Sequence, residues 1–358
     1  MITNSRREML KAAGVVATAG LAGCSGSGGD DGGSGGDSGG GDSGGDSGSD
    51  SSGGGDDLTP VTIQFPEGTV FYPMWEAAQQ QGIFEEEGID VTVEYPPFDA
   101  QVQGVTSGEV ETSHPSVLPY INNRINGEDL VTYGFSGGLQ SVNALYVRAD
   151  SEYESVEDLE GQRIGVWSWG SSTVQAFQAV LAEQTGLRLR EDFETTTAAP
   201  PALVGLLNDG EIDGVINVSG LTITMESQPE NYRNLVQLND LWTDVTGHTL
   251  PLTSWWAYSD WYDDNTDVAA SLVRAGANAV EHWRNNTRSI LEEFGGPASI
   301  DNDAKIQVVE DWASNGEVFH GRAEESYVDS VWQFLDLMEE QEFIDSVPSQ
   351  DDVLRNPF

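Results

Sequence analysis

The chain has 358 residues, with 60 Asp and Glu against 15 Lys and Arg and a formal charge of −45. That balance excludes a nucleic-acid partner, whose phosphates need a basic face. The only cysteine is Cys24, which excludes an internal disulfide.

Ser5-Arg6-Arg7-Glu8-Met9-Leu10-Lys11 carries the twin arginines of an export signal, and the apolar run Ala12 to Leu21 follows it. That run is too short for a hydrocarbon core of ~30 Å at 1.5 Å per residue. Residues 1–23 therefore read as a cleaved signal peptide of the twin-arginine route. Leu21-Ala22-Gly23-Cys24 has the form of a lipobox, in which Cys24 is lipidated and becomes the first residue. An ordinary cleaved signal with an incidental cysteine is the alternative. The order of arginines, apolar core and lipobox favours lipid attachment, on the extracellular face of the cell membrane. Residues 24–57 complete the anchor. From Ser25 to Asp57 the chain is almost wholly Gly, Ser and Asp, with nothing apolar to bury, so it reads as a disordered tether. Such a length spans on the order of 30 Å, and its eight aspartates stretch it further. Lysine occurs only at Lys11 and Lys305. A uniformly acidic, lysine-poor surface suits multimolar salt, where screening reaches only ~3 Å or less. The carboxylates are spread along the chain and do not cluster as a cation site.

Val61 to Phe65 predicts a strand and Pro73 to Gln81 a helix that Gly82 stops. Ile89 to Tyr95 alternates as a strand does. Helices follow over 100–107 and 116–126, each ended by glycine, then strands over 130–135 and 143–148. This β-α-β-α-β order implies a mostly parallel sheet with helices on its faces. The pattern restarts with a strand over 163–167, a helix over 172–185, a strand over 193–197, a helix over 201–208 and a strand over 215–218. Ser107-Gly108-Glu109-Val110-Glu111 and Asp209-Gly210-Glu211-Ile212-Asp213 stand at equivalent helix-to-strand junctions, which points to two similar lobes. After Ser254-Trp255-Trp256-Ala257-Tyr258 the chain turns helical, over 267–286, 308–312 and 327–338, and no new sheet is expected. This tail should wrap back onto the first lobe.

Pro73 through Val93 contains Gly82, Ile83, Phe84, Gly88, Ile89 and Val91 in order. That phrase resembles the opening of solute-binding proteins of ABC importers, of the nitrate, aliphatic-sulfonate, taurine and thiamine-precursor branch. Ser155-Val-Glu-Asp-Leu-Glu-Gly-Gln-Arg-Ile-Gly-Val166 is similar to that family's entry to its second lobe, Gly170-Ser171-Ser172 to its hydroxyl-rich turn, and Glu342-Phe-Ile-Asp345 to its ending. The resemblance implies a type II periplasmic-binding-protein-like α/β fold with two lobes, a hinge and a ligand cleft. Lobe 1 would comprise 58–149 and 257–358, and lobe 2 would comprise 150–256, with crossings near Arg148-Ala149 and Ser254-Tyr258. It implies a small-molecule solute, an ABC permease as partner, a monomer, and no cofactor or metal.

In such folds ligand lies outside the carboxyl ends of the strands, where helix N-termini offer N–H groups and favour anions. Four loops meet this description. They supply Thr69, Phe71 and Tyr72; Ser113, His114 and Ser116; Trp169, Gly170, Ser171 and Ser172; and Asn217 and Ser219. None of the four contains Arg or Lys, so an anion would have to be held by backbone N–H and hydroxyl groups. A neutral, flat solute could instead stack on Trp75, Trp167, Trp169, Trp255 or Trp256. Ser116 and Ser172 could equally be plain N-caps, and Trp167 and Trp256 plain core. Asn217 lies in a glycosylation sequon but closes a buried strand; Asn285 is the better acceptor.

Catalysis has little support. No nucleophile elbow, phosphate loop or dinucleotide fingerprint occurs. The histidines 114, 248, 282 and 320 have no metal-ligand spacing, and Asp260 to Asp267 lacks the central glycine of a calcium loop. The alternatives are an enzyme of the thiamine-pyrimidine branch, which shares the fold, and a sensory ligand-binding module.

Overall fold

The computed structural model describes residues 58–358 apart from 140, 141, 218, 251, 317 and 322–324. The signal peptide, Cys24 and the tether lie outside the described residues. The first stretch runs β1 (Thr59–Gln64), α1 (Phe71–Gln81), α2 (Ile83–Glu86), β2 (Ile89–Glu94), α3 (Phe98–Ser107), β3 (Thr112–Ser113), α4 (Val117–Ile125), β4 (Leu130–Gly134) and β5 (Gly138–Leu139). The second runs β6 (Ala144–Arg148), β7 (Arg163–Val166), α5 (Ser172–Thr185), β8 (Glu194–Thr197), α6 (Pro200–Asn208), β9 (Gly214–Ile216), α7 (Ser219–Glu226), β10 (Tyr232–Gln237) and α8 (Leu238–Thr246). The chain returns on β11 (Trp255–Tyr258) and ends with α9 (Ser259–Asp264), α10 (Thr266–Phe294), α11 (Asp303–Ser314), β12 (Phe319–His320), α12 (Glu325–Glu340) and α13 (Gln350–Val353).

Glycine punctuates these helices as the sequence predicts. Gly82, Gly108 and Gly186 close α1, α3 and α5 in the left-handed region, with φ of 77°, 75° and 76°, where only glycine avoids a Cβ clash. The paired phrases prove structurally equivalent. Glu109 and Val110 both donate their N–H to Gly104 O, and Glu211 and Ile212 both donate theirs to Leu206 O. Val110 and Ile212 are both buried. One chain reversal is thus built twice, each time to aim an apolar side chain into a core.

The expected mostly parallel sheets are more mixed. β1 pairs with β2 in parallel, and β7 lies parallel between β8 and β9. β6, however, runs antiparallel to β9 and β10, and β11 runs antiparallel to β3 and β4. The cause is connectivity: β6 and β11 arrive from the other half of the chain and enter in the opposite sense. β6 is therefore an internal strand of the five-stranded sheet β10-β6-β9-β7-β8, ahead of the crossing expected at Arg148-Ala149. The sheet pairs β1-β2 and β3-β11-β4 are knitted by side chains. Gln64 O accepts from Ser113 Oγ at 2.9 Å and from Gln101 Nε2 at 3.1 Å.

The tail divides. α10 packs its buried Leu272, Ala275, Ala279 and Trp283 into the core that holds Trp75, Phe65 and Trp255. It is kinked at Asn286, where φ is −136°. α12 departs from the expectation that the whole tail covers the first lobe. Its Ser330 Oγ accepts from Trp242 Nε1 at 2.9 Å, and Phe334 meets the Trp242 ring edge-on at 5.6 Å, so it clads α8. A second correction is β12, which pairs antiparallel with β5 and forms a small sheet that the helical periodicity of the tail does not announce. Among the described residues no helix is long and apolar enough to cross a membrane.

Candidate functional site

A cavity of about 360 Å³ lies at the carboxyl ends of the strands, at the lower end of small-ligand sites. The starts of six helices stand at its wall: α1 at Phe71, α3 at Phe98, α4 through its N-cap Ser116, α5 through its second residue Thr173, α6 at Pro200 and α7 at Ser219. Each follows a strand, so the walls come from both halves of the chain. The lining is mainly apolar, from Phe71, Phe98, Trp167, Leu139 and Leu252 together with several prolines. The Phe98 and Trp167 rings meet edge-on at 4.7 Å and join the two halves across the cavity.

Of the residues predicted from sequence, Thr69, Phe71, His114, Ser116 and Ser219 line this cavity, as does Trp167 among the tryptophans offered as stacking faces. The Thr69 hydroxyl is already committed to Pro66 O at 2.9 Å. Ser116 stands at the N-cap of α4 without using its side chain to cap. His114 is fully buried, and its Nε2 lies 3.1 Å from Ser136 O. A carbonyl only accepts, so Nε2 carries the proton and Nδ1 is left as a bare acceptor without a partner. Burial pushes this imidazole down to about 3, so the ring is neutral. His320, also buried, is held well below the usual value by burial and by its neighbours His114 and Arg284.

The other predicted residues stand outside the lining. Ser171 Oγ accepts from Val174 N at 3.2 Å as the N-cap of α5. Ser172 Oγ accepts from Leu118 N at 3.1 Å and so caps a helix of the other half. Gly170 is exposed, with its N–H on Ser168 Oγ. Trp169 has its face covered by the Arg190 guanidinium, 3.9 Å from the ring centroid, and is no platform for a ligand. Tyr72 packs on Tyr95, and the Ser113 hydroxyl serves Gln64 O. Trp255 is buried, donating to Ser136 O at 2.9 Å and meeting His114 edge-on. Asn217 is buried and its Nδ2 points to Pro200 O at 3.4 Å, behind the wall, which leaves no room for a glycan; Asn285 is exposed.

The sequence reading misses Asn143, Glu67, Asp99 and Thr253, all of which line the cavity. Asn143 Nδ2 donates to Thr173 Oγ1 at 3.0 Å, and its Oδ1 is buried without a partner. Ser219 Oγ and Trp167 Nε1 are likewise buried and unpaired. Unpaired buried polar atoms are uncommon because each costs about 1–3 kcal/mol. Four of them, His114 Nδ1, Asn143 Oδ1, Trp167 Nε1 and Ser219 Oγ, belong to residues that line this cavity. Among the described residues no group of three or more His, Cys, Asp or Glu could hold a metal ion.

No protein of curated function matches the chain in sequence. Solved structures match its fold. The periplasmic aliphatic sulphonate-binding protein SsuA of Escherichia coli is 16% identical, with a TM-score of 0.62 over 84% of this chain and 92% of its own. The alkanesulfonate-binding protein SsuA of Xanthomonas axonopodis pv. citri, bound to MOPS, is 16% identical, with a TM-score of 0.63 over 84% and 98%. The desulfurization enzyme DSZB is 12% identical, with a TM-score of 0.57 over 83% and 96%. The α/β architecture is thus that of periplasmic binding proteins. A family model described as NMT1/THI5 like matches residues 71–289, a span that takes in α1 through most of α10 and nearly the whole cavity wall, and the chain belongs to that family.

Proposed function

We propose that the chain is the solute-binding receptor of an ABC importer. The observation that carries this reading is the cavity walled by the first turns of six helices drawn from both halves of the chain. In this reading 58–149 with 257–358 and 150–256 form two lobes that close on the solute, with β6 and α12 lent across the boundary. Closure is favoured by the solute's better contacts with the closed state. The receptor works as a monomer at the extracellular face, exported by the twin-arginine route and held by lipid on Cys24. The closed form would dock on a membrane permease. Its acid surface is an adaptation to concentrated salt. The solute is drawn from the small molecules of the family: sulfonate, nitrate, taurine or a pyrimidine.

Two experiments test it. A thermal-shift screen of those solutes in concentrated potassium chloride should give stabilisation of ~2.7 kcal/mol at a hundredfold excess over the dissociation constant. No shift from any small solute would remove the reading. Cys24→Ser should release the protein from the membrane fraction into the medium; retention on the membrane refutes the anchor. A second reading, an enzyme on this scaffold, draws on the fold likeness to the desulfurization enzyme. Chemical turnover of the bound solute would establish it in place of transport.

A further inference from the structure

Resting on the two-lobe reading of the receptor, we infer that the lobes turn on three strands and not on two, that β12 is the third, and that α12 travels with the second lobe because β12 carries it there.

Among the described residues, three segments pass between the halves side by side. From β4 to β6 the chain goes through β5, from α8 to β11 through Leu252 and Thr253, and from α11 to α12 through β12. They meet at Leu139. β12 pairs antiparallel with β5, with Phe319 opposite Leu139 and His320 opposite Gly138. Gly137 N–H also donates to His320 O at 3.0 Å. Leu252 N–H donates to Leu139 O at 3.2 Å, and Leu139 N–H donates to Thr253 Oγ1 at 2.7 Å.

Beyond β12 the chain changes cores. α11 buries Ile306 and Val309 with Trp75, whereas α12 buries Val331 and Phe334 with Trp242. Hydrogen bonds hold α12 to the second half along its length. Ser330 Oγ donates to Thr249 O at 3.0 Å. Just past the last turn, Gln341 Nε2 donates to Glu183 Oε2 at 2.9 Å, and Arg188 Nη2 donates to Gln341 O at 3.0 Å. The chain does return to the first half, where Leu354 bridges to Thr132. That return is no pivot, because residues 341–349 form no helix or strand.

Gly138 is the point of closest approach. A Cβ there would fall against His320 Nε2 and stand 2.8 Å from Thr253 Oγ1, on buried residues of the other two strands. The missing side chain is what lets three segments come this near. Leu139, Leu252 and Thr253 also line the cavity. A solute held there bears directly on the strands that turn, and a few such residues can absorb the backbone change of closure.

The test is pulsed dipolar spin resonance on the full chain carrying Cys24→Ser, which leaves no other cysteine to label. Glu109→Cys, Glu211→Cys and Glu340→Cys, taken in pairs, place labels at exposed positions in the first lobe, the second lobe and α12. Each pair is measured with and without Gly138→Ala. Making room for the methyl parts strands ~4.8 Å apart by about 1 Å, a turn of about 12°. The 109–211 and 109–340 distances should shift together, and the 211–340 distance should stay fixed. Thr253→Val, which only strips the acceptor from Leu139 N–H, replaces Gly138→Ala if that variant does not fold. A shift in the 211–340 distance, alone or with the others, separates α12 from the second lobe and overturns the inference. Three distances that ignore the substitution overturn it as well. In either case the receptor still stands or falls on its thermal-shift screen.

Discussion

The sharpest perturbation is a single methyl group at Gly220. This residue lies in the first turn of α7, and a Cβ built on it would stand 2.4 Å from Gly68 O and 3.3 Å from Ala298 O. Gly68 sits in the loop after β1 with φ of 68°, next to the cavity residue Thr69. The approach thus joins the α7 end of the five-stranded sheet to the β1 loop of the other half. Favourable carbon contacts lie near ~3.5–4.0 Å, so the backbones must part by about 1 Å. Overpacking of this kind costs ~1–3 kcal/mol, or about fivefold to 150-fold in a binding constant if the cost falls on closure. Within the helix itself alanine is favoured over glycine by ~0.5–1 kcal/mol. Gly220→Ala should therefore leave the melting temperature of the free protein unchanged or raised while solute affinity falls. Gly205→Ala is the control: its Cβ meets nothing within 4 Å, so it should stabilise α6 and leave affinity alone. Calorimetric titration and melting of both variants decide the matter. If Gly220→Ala binds like the unsubstituted chain, or loses stability and affinity in parallel, the contact is plain packing and not closure.

Acid stability follows from the two buried imidazoles. Their folded values lie below the ordinary 6.5, so the unfolded chain takes up protons that the folded one refuses. Their share of stability is full above pH 6.5 and is lost as pH falls below it, about 2 kcal/mol at pH 5 for His114, whose folded value is about 3. Denaturant titrations at pH 7.5 and 5 should show that loss, and His320→Phe should reduce it; an unaltered slope would contradict the burial argument. Asp213 behaves in the opposite range. Burial raises its carboxyl, but the bonds from Arg163 at 2.8 Å and 3.0 Å outweigh that and hold it below the ordinary value. Its contribution therefore persists above pH 4 and disappears as pH falls through the depressed value, and Asp213→Asn should cost ~1–3 kcal/mol at neutral pH by chemical denaturation. With 60 acidic residues against 15 basic ones, melting temperature should climb between dilute and multimolar potassium chloride. A flat response would remove the salt adaptation.

Much of the fold is legible because it rests on local rules. The helix expected over 172–185 is α5 to the residue, since Ser171 caps it and Gly186 must take φ of 76°. β10 escapes the sequence reading because Tyr232–Gln237 has no clean alternation, and its burial pattern in the sheet is correspondingly irregular. β5 and β12, two residues each, are too short to carry a period. The candidate site is legible at the level of loops and not of atoms. All four loops reach the cavity, yet the hydroxyls of Ser113, Ser171 and Ser172 are spent on backbone groups, and Arg190 occupies the face of Trp169. Asn143 is the reverse case. It precedes β6 with nothing in its neighbours to distinguish it, and only the spatial meeting with Thr173 gives its Oδ1 a direction.

Ser172 shows how far a local reading can mislead and how to check the correction. As the first residue of α5 with its neighbour Ser171 already capping, its hydroxyl looks free for a solute. Instead it accepts the Leu118 N–H and so completes the N-terminus of α4. Leu118 and Ser172 are both buried, so no water replaces the hydroxyl when it is removed. Ser172→Ala should cost ~1–3 kcal/mol of folding stability, the penalty of an unpaired buried donor. Ser171→Ala should cost ~1 kcal/mol, the worth of an N-cap. Neither should change solute affinity by more than about twofold, because neither hydroxyl lines the cavity. Melting and titration of the two variants separate the roles. A tenfold loss of affinity in Ser172→Ala at an unchanged melting temperature would place that hydroxyl on the solute and reverse the assignment.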